Sequence, residues 1–147
     1  MKKITLIVVI MVMIGGAIYW NYATGIPSLS VKADNKIVEV TQGTYCWSSL
    51  ISSECVDKIA PTQMVKEGFI TPTVVKPGAI MSYQFSKKPV GDSESILLED
   101  EAGHSIDVKR ENQTFKAPIK KGLYMYTISA RWDKGDVSYA IAIDVKK

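Results

Sequence analysis

Seventeen consecutive residues, Ile4 to Trp20, carry no charged side chain, and they directly follow the pair Lys2-Lys3. A stretch this apolar has no stable place on the surface of a small water-soluble fold, so it reads as a helix built for a bilayer. At 1.5 Å per residue it spans about 26 Å, slightly short of a ~30 Å hydrocarbon core. Tyr19, Trp20, Asn21 and Tyr22 extend it, since aromatic and polar side chains of this kind settle among headgroups. Lysines stay on the cytoplasmic side, and the next charge after Lys3 is Lys32. The expected arrangement is a single-pass cell-membrane anchor, N-terminus cytoplasmic and C-terminal domain extracytoplasmic. A cleaved secretory signal, with Ala23-Thr24-Gly25 as the small-residue site, is the competing reading and leaves a secreted domain. No cysteine lies in or beside the segment, so a lipid-modified cysteine is excluded.

The expected organisation is an anchor or signal segment over 1–22, a linker over 23–28 with Gly25 and Pro27 as helix breakers, and one domain over 29–147. Of 18 Lys and Arg, two precede the apolar run, and the other 16 face 15 Asp and Glu. Both signs alternate along the chain, which gives a nucleic-acid surface no support.

Cys46 and Cys55 are the only cysteines. In an oxidising compartment an isolated pair at this spacing forms one disulfide. A redox role asks for a tighter Cys-x-x-Cys spacing, and a zinc site for more ligands than one histidine can add.

Period-two alternation dominates the rest. Leu29, Val31 and Ala33 share a parity, Asp34-Asn35 is a turn, and Val38 and Val40 resume the alternation. The segment 43–68 reads as irregular, with a short helix opened by Pro61 and stopped by Gly68. Short strands follow at Thr73–Val75, Met81–Phe85, Ile96–Leu98, Ile106–Val108 and Thr114–Ala117. The clearest pattern is last: Tyr124, Tyr126, Ile128, Ala130 and Trp132 on one face, a turn, then Val137, Tyr139, Ile141, Ile143 and Val145. The expected fold class is all-β, a β-sandwich of about seven to nine short strands preceded by one transmembrane helix.

The run Lys121-Gly122-Leu123-Tyr124-Met125-Tyr126 resembles the tyrosine corner of immunoglobulin-like sandwiches. Gly122 and Tyr124 match the small residue and the tyrosine of that corner. The resemblance implies that the Tyr124 hydroxyl returns to upstream backbone near the start of the penultimate strand. Tyr126 stands where antibody domains carry their second cysteine, so their inter-sheet disulfide is absent. Gly43-Thr44-Tyr45-Cys46-Trp47, Cys55-Val56-Asp57, Val75 to Gly78 and Ala130 to Asp136 with Tyr139 are similar to small membrane-anchored extracytoplasmic proteins of bacilli. That second resemblance implies location and fold, and no activity.

Chemistry is sparse. His104, the sole histidine, reads as a turn-flanking, solvent-touched residue. Glu99-Asp100-Glu101 lacks the spacing of a calcium loop. No phosphate loop, dinucleotide fingerprint, zinc spacing or nucleophile elbow occurs, so no catalytic residue, metal or cofactor is assigned. Tyr45, Trp47, Leu50, Ile51 and Asp57, on and after the cross-linked loop, form the candidate binding surface. The competing role for Tyr45 and Trp47 is to plug one end of the core. The expected function is a non-enzymatic binding module for a protein, a wall component or a small ligand. The alternative is a small hydrolase using carboxylates from separate strands, among Glu54, Asp57, Glu99, Asp100 and Asp107.

Overall fold

A computed structural model describes residues 2–49 and 52–146. Helix α1 (Lys2–Thr24) leads, and eleven strands follow among the described residues. They are β1 (Leu29–Ala33), β2 (Lys36–Val38), β3 (Thr41–Ser48), β4 (Ser53–Val56), β5 (Thr73–Val75), β6 (Ile80–Phe85), β7 (Ser95–Asp100), β8 (Ser105–Asp107), β9 (Thr114–Lys116), β10 (Gly122–Trp132) and β11 (Gly135–Val145). A one-and-a-half-turn helix, α2 (Pro61–Lys66), lies between β4 and β5.

The strands form two open sheets, one ordered β2-β1-β6-β9 and the other β4-β3-β11-β10-β7-β8. All named pairings are antiparallel except that of β5, which runs parallel to the end of β11. Their inner faces share one core, in which Val31, Met81 and Phe85 of the first sheet meet Ile128, Tyr139 and Ile141 of the second. Face-to-face packing of this kind makes the molecule a β-sandwich-like fold. The alternating parities of β1, β10 and β11 are the inward ones in the structure. Tyr124 donates its hydroxyl to the Lys120 carbonyl at 3.0 Å, with its ring against Gly122.

Two expectations need correction. The strand count exceeds seven to nine, and the segment around the cysteines is not an irregular loop. β3 and β4 pair with Cys46 directly opposite Cys55, and β3 also pairs with β11. Alternation fails to reveal β3 because two of its residues, Gly43 and Thr44, face the single Ser138, a bulge that breaks the parity. A Cβ on Gly43 would lie 2.6 Å from the Ser138 hydroxyl, so glycine permits that close approach.

The first helix ends at Thr24, and residues 25–28 connect it to β1. Among the described residues, no helix is long and apolar enough to cross a membrane. The side chains of Lys2, Lys3, Ile18 and residues 20–24, Trp20 and Tyr22 among them, lie outside the described residues.

Candidate functional site

The outer face of the larger sheet is not left to solvent. Met125, Ala140 and Ala142 point away from the main core, and Met64 of α2 and Ile70 cover them. Pro61 opens α2 at a position whose backbone N–H has no helical partner to lose. The helix closes in a Schellman motif: Phe69 N–H bonds the Met64 carbonyl at 2.8 Å, and Gly68 N–H bonds that of Val65 at 3.1 Å. Gly68 sits at φ 77°, the left-handed conformation this closure needs. The apolar residue just after the glycine is thereby turned back over the helix, which presents Phe69 beside Met64.

The result is a groove. Two adjoining hollows, of about 370 and 160 Å³, share Lys58, Ile59 and Met64. The larger is walled by Thr41, Gln42, Asp57 and Phe69, and the smaller reaches Thr44 and Ser138. Phe69 is 60 % exposed and Ile59 38 % exposed, a large apolar display on a small sandwich. Side-chain bonds hold both walls. Lys58 N–H donates to Thr44 Oγ1 at 3.1 Å, Ser138 Oγ to the Thr44 carbonyl at 2.9 Å, and Thr71 N–H to Glu39 Oε2 at 3.2 Å.

The disulfide anchors the same hairpin, with S–S 2.01 Å and Cα atoms 4.0 Å apart across the β3–β4 pair. Trp47 and Tyr45 pack toward the main core, so the intervening Cys46 lies on the grooved face. Among the described residues of the sequence-derived surface, Asp57 alone borders the groove. Trp47 is 7 % exposed and is a core residue, and Tyr45 is half-buried against that core. Leu50 and Ile51 lie outside the described residues. Lys58, Ile59, Met64 and Phe69 were missed, though an aromatic residue directly after a helix-stopping glycine is a legible signal of the Schellman contact.

The other candidates sit apart. His104 is largely exposed and its Nδ1 lies 3.1 Å from Asp100 Oδ2. Asp100 also accepts the backbone N–H groups of His104 at 2.9 Å and Ala102 at 3.0 Å, and these bonds to the ionised form hold its carboxyl below the usual range. Glu54 and Asp57 flank one edge of the larger sheet, while Glu99, Asp100 and Asp107 lie at the other. Four strand steps at about 4.8 Å separate β4 from β7, so Glu54 or Asp57 cannot act with Glu99, Asp100 or Asp107 at the 5–9.5 Å that two glycosidase carboxylates require. Among the described residues, no group of three or more His, Cys, Asp or Glu is placed to hold a metal ion.

One partly buried polar cluster lies outside the groove. Tyr83 donates to Glu94 Oε2 at 2.5 Å, and Arg110 pairs with Asp92 and approaches Glu94 at 3.8 Å. Burial, reinforced by Glu94, pushes the Tyr83 hydroxyl well above its ordinary pKa. The cluster clasps β6 to the strand connections of the opposite sheet.

Comparison with known proteins found no matching family model, no similar curated protein and no matching solved structure.

Proposed function

We propose that this chain is a membrane-anchored, extracytoplasmic binding module of immunoglobulin-like architecture, without catalysis of its own. The observation that carries the binding reading is the groove: Phe69 and Ile59 stand exposed across an apolar hollow whose walls are cross-linked and hydrogen-bonded in place. Preformed hollows of a few hundred Å³ with apolar walls and a few polar groups at the rim suit a short peptide side chain or a small ligand. Asp57 and Lys58 supply the rim charges.

Strand order supports the architectural reading. The run β11-β10-β7-β8 in one sheet, faced by β6 and β9 in the other, matches the G-F-C-C′ and B-E assignments of variable-type immunoglobulin domains, with Tyr124 on the penultimate strand. Strands β1 to β4 are additions ahead of that frame.

The anchor reading rests on the apolar run and on its surroundings. Ile4, Val12 and Met13 are 68, 68 and 70 % exposed, and Ile7 and Ile10 on other sides of α1 are about half exposed. The apolar side chains described on α1 are not covered by the sandwich, and a bilayer is a surface that would cover them, although no described helix is long and apolar enough to cross one. Lys2-Lys3 set its orientation, and the likeness to bacillus membrane-anchored proteins agrees with that placement.

A photo-crosslinking residue at position 69 in intact cells tests the binding reading. A discrete adduct at 69, absent when the probe sits at Lys116, is expected. Equal or absent crosslinking at both sites rejects the groove. Mass analysis of the mature protein tests the anchor, because a chain beginning after Gly25 means the segment is cleaved.

A further inference from the structure

Strand β3 is paired unevenly along its two edges. β11 runs beside it from Thr41 to Trp47, whereas β4 pairs only with Tyr45–Ser48. Beyond Val56 the chain leaves the sheet. Lys58 N–H goes to the Thr44 side chain at 3.1 Å, and no residue of β4 stands opposite Thr41, Gln42 or Gly43. Among the described residues the next strand position is therefore open over three residues, about 10 Å of edge.

Successive residues of a strand turn their N–H and carbonyl groups to opposite sides. Ser48 N–H bonds the Lys134 carbonyl in the β10–β11 turn, so Ser48 and Cys46 face β11, while Trp47 and Tyr45 face β4. The bulge adds one residue at Gly43–Thr44, which returns Thr41 to the β11 side and turns the N–H and carbonyl of Gln42 outward. Gln42 is exposed. An outward donor and acceptor on an exposed edge are the groups that an added strand bonds. The hollow lies at this same edge, lined by Thr41 and Gln42 together with Ile59, Met64 and Phe69. Thr41 Oγ1 lies 3.5 Å from the Phe69 carbonyl, and Lys58 bonds Thr44, so Phe69 and Ile59 bracket the open stretch.

We propose that the groove takes an extended peptide, which adds as a short strand to the open edge of β3. Its backbone exchanges two hydrogen bonds with Gln42, and one aliphatic side chain enters the hollow between Ile59 and Phe69. Side chains of an extended chain alternate, so the neighbours of that residue point away from the hollow. Backbone pairing then supplies a contact that tolerates many sequences, and the hollow selects the one side chain it admits. This inference rests on the binding reading above and names its ligand class.

The test uses the full chain held in an amphipathic polymer, with photo-reactive probes whose adducts are located by peptide mass analysis. One probe is the capped heptapeptide acetyl-Thr-Ser-Thr-photoleucine-Thr-Ser-Thr-amide. A second is the same peptide methylated at every backbone nitrogen, which has no pairing donor left. A third is N-acetyl-photoleucine methylamide alone. The heptapeptide is expected to form adducts at Ile59, Met64 or Phe69 about tenfold more readily than its methylated form, the loss that two modest backbone bonds imply. Gln42→Pro removes an N–H that makes no bond to β11, and should lower the heptapeptide adducts about tenfold while those of the methylamide hold. The methylated probe acts on unaltered protein, so its comparison stands even where that variant fails to fold. Equal adducts from the heptapeptide and its methylated form overturn this inference and leave a groove for small apolar ligands. Adducts absent from Ile59, Met64 and Phe69 with every probe overturn the binding reading and this inference with it.

Discussion

Trp47 on β3 and Trp132 at the end of β10 meet edge to face, ring centroids 6.1 Å apart and planes inclined by 64°. Trp132 in turn packs on Phe85 of the opposite sheet at 5.2 Å, and Phe85 on Tyr139 at 5.9 Å. An aromatic chain thus runs from the disulfide hairpin through both sheets. The hairpin is part of the core.

Truncating Trp47 to Ala is therefore expected to cost about 3–5 kcal/mol, the range for large aromatic residues in a core. Trp47→Phe keeps the edge contact and loses less. Urea unfolding midpoints at unchanged slope measure both. A loss under about 1 kcal/mol for Trp47→Ala shows that the hairpin is an appendage.

The disulfide closes a short loop, with nine residues of sequence separation. Replacing both cysteines by Ala removes at most about 2.7 kcal/mol of chain-entropy stabilisation. The observed loss should be smaller, because β3 remains paired to β11 while only the edge strand β4 is released. Hydrogen exchange is expected to speed up at residues 53–56 and to stay slow in β11. Uniform acceleration across both strands contradicts that local picture.

What was readable in the sequence follows the same logic. β10 and β11 announce themselves because their large apolar and aromatic side chains keep one parity over eleven residues without a bulge inside their pairing, even though α2 also buries Met125, Ala140 and Ala142 on the other face. β3 hides because its bulge breaks the period, and β4 because its burial is uniformly low at the sheet edge. Of the two roles the sequence leaves open for Trp47, core plug and displayed binder, the structure shows the first, since a strand imposes an inward direction that a loop does not. The groove was illegible because its walls come from separate segments: Thr41 on β3, Ile59 ahead of α2 and Phe69 after it. No local spacing joins them. The Tyr83–Glu94–Arg110 cluster is likewise assembled from distant positions whose charges, in sequence, resemble any solvated loop.

Two buried tyrosines should respond in opposite directions to loss of the hydroxyl. Tyr126 is fully buried and its hydroxyl has no hydrogen-bond partner among the described residues. Tyr126→Phe is expected to be neutral or to stabilise by up to about 1–2 kcal/mol, since it removes an uncompensated desolvation cost. Tyr83→Phe deprives Glu94 of a hydrogen-bond donor and should cost about 1–3 kcal/mol. Paired thermal unfolding curves measure both. Equal effects of the same sign contradict the assignment of partners.

Glycines separate in the same manner. A Cβ at Gly135, φ 150°, would lie 1.9 Å from the Cys46 carbonyl oxygen and 2.9 Å from its carbon. Both are backbone atoms, so β11 would have to part from β3. Gly135→Ala is expected to destabilise by several times the ~1 kcal/mol anticipated for Gly78→Ala, where φ is 70° but nothing lies within 4 Å. Similar losses for the two variants exclude a close β3–β11 approach.

The Asp100 turn gives a signed prediction for acid stability. Its carboxylate is held below the ordinary range first by the His104 backbone N–H and then by the His104 ring. A folded-state pKa depressed in this way means that the contribution is full above the unfolded value, about 3.9, and fades as pH falls through the lower folded value. The difference in melting temperature between wild type and Asp100→Asn should therefore be constant at neutral pH and shrink below about pH 4. His104→Ala retains the backbone donor and should keep most of the wild-type acid dependence. If His104→Ala flattens the profile as much as Asp100→Asn does, the imidazole and not the turn backbone sets that carboxyl. A difference that stays constant down to the acid transition removes Asp100 from the account of acid unfolding.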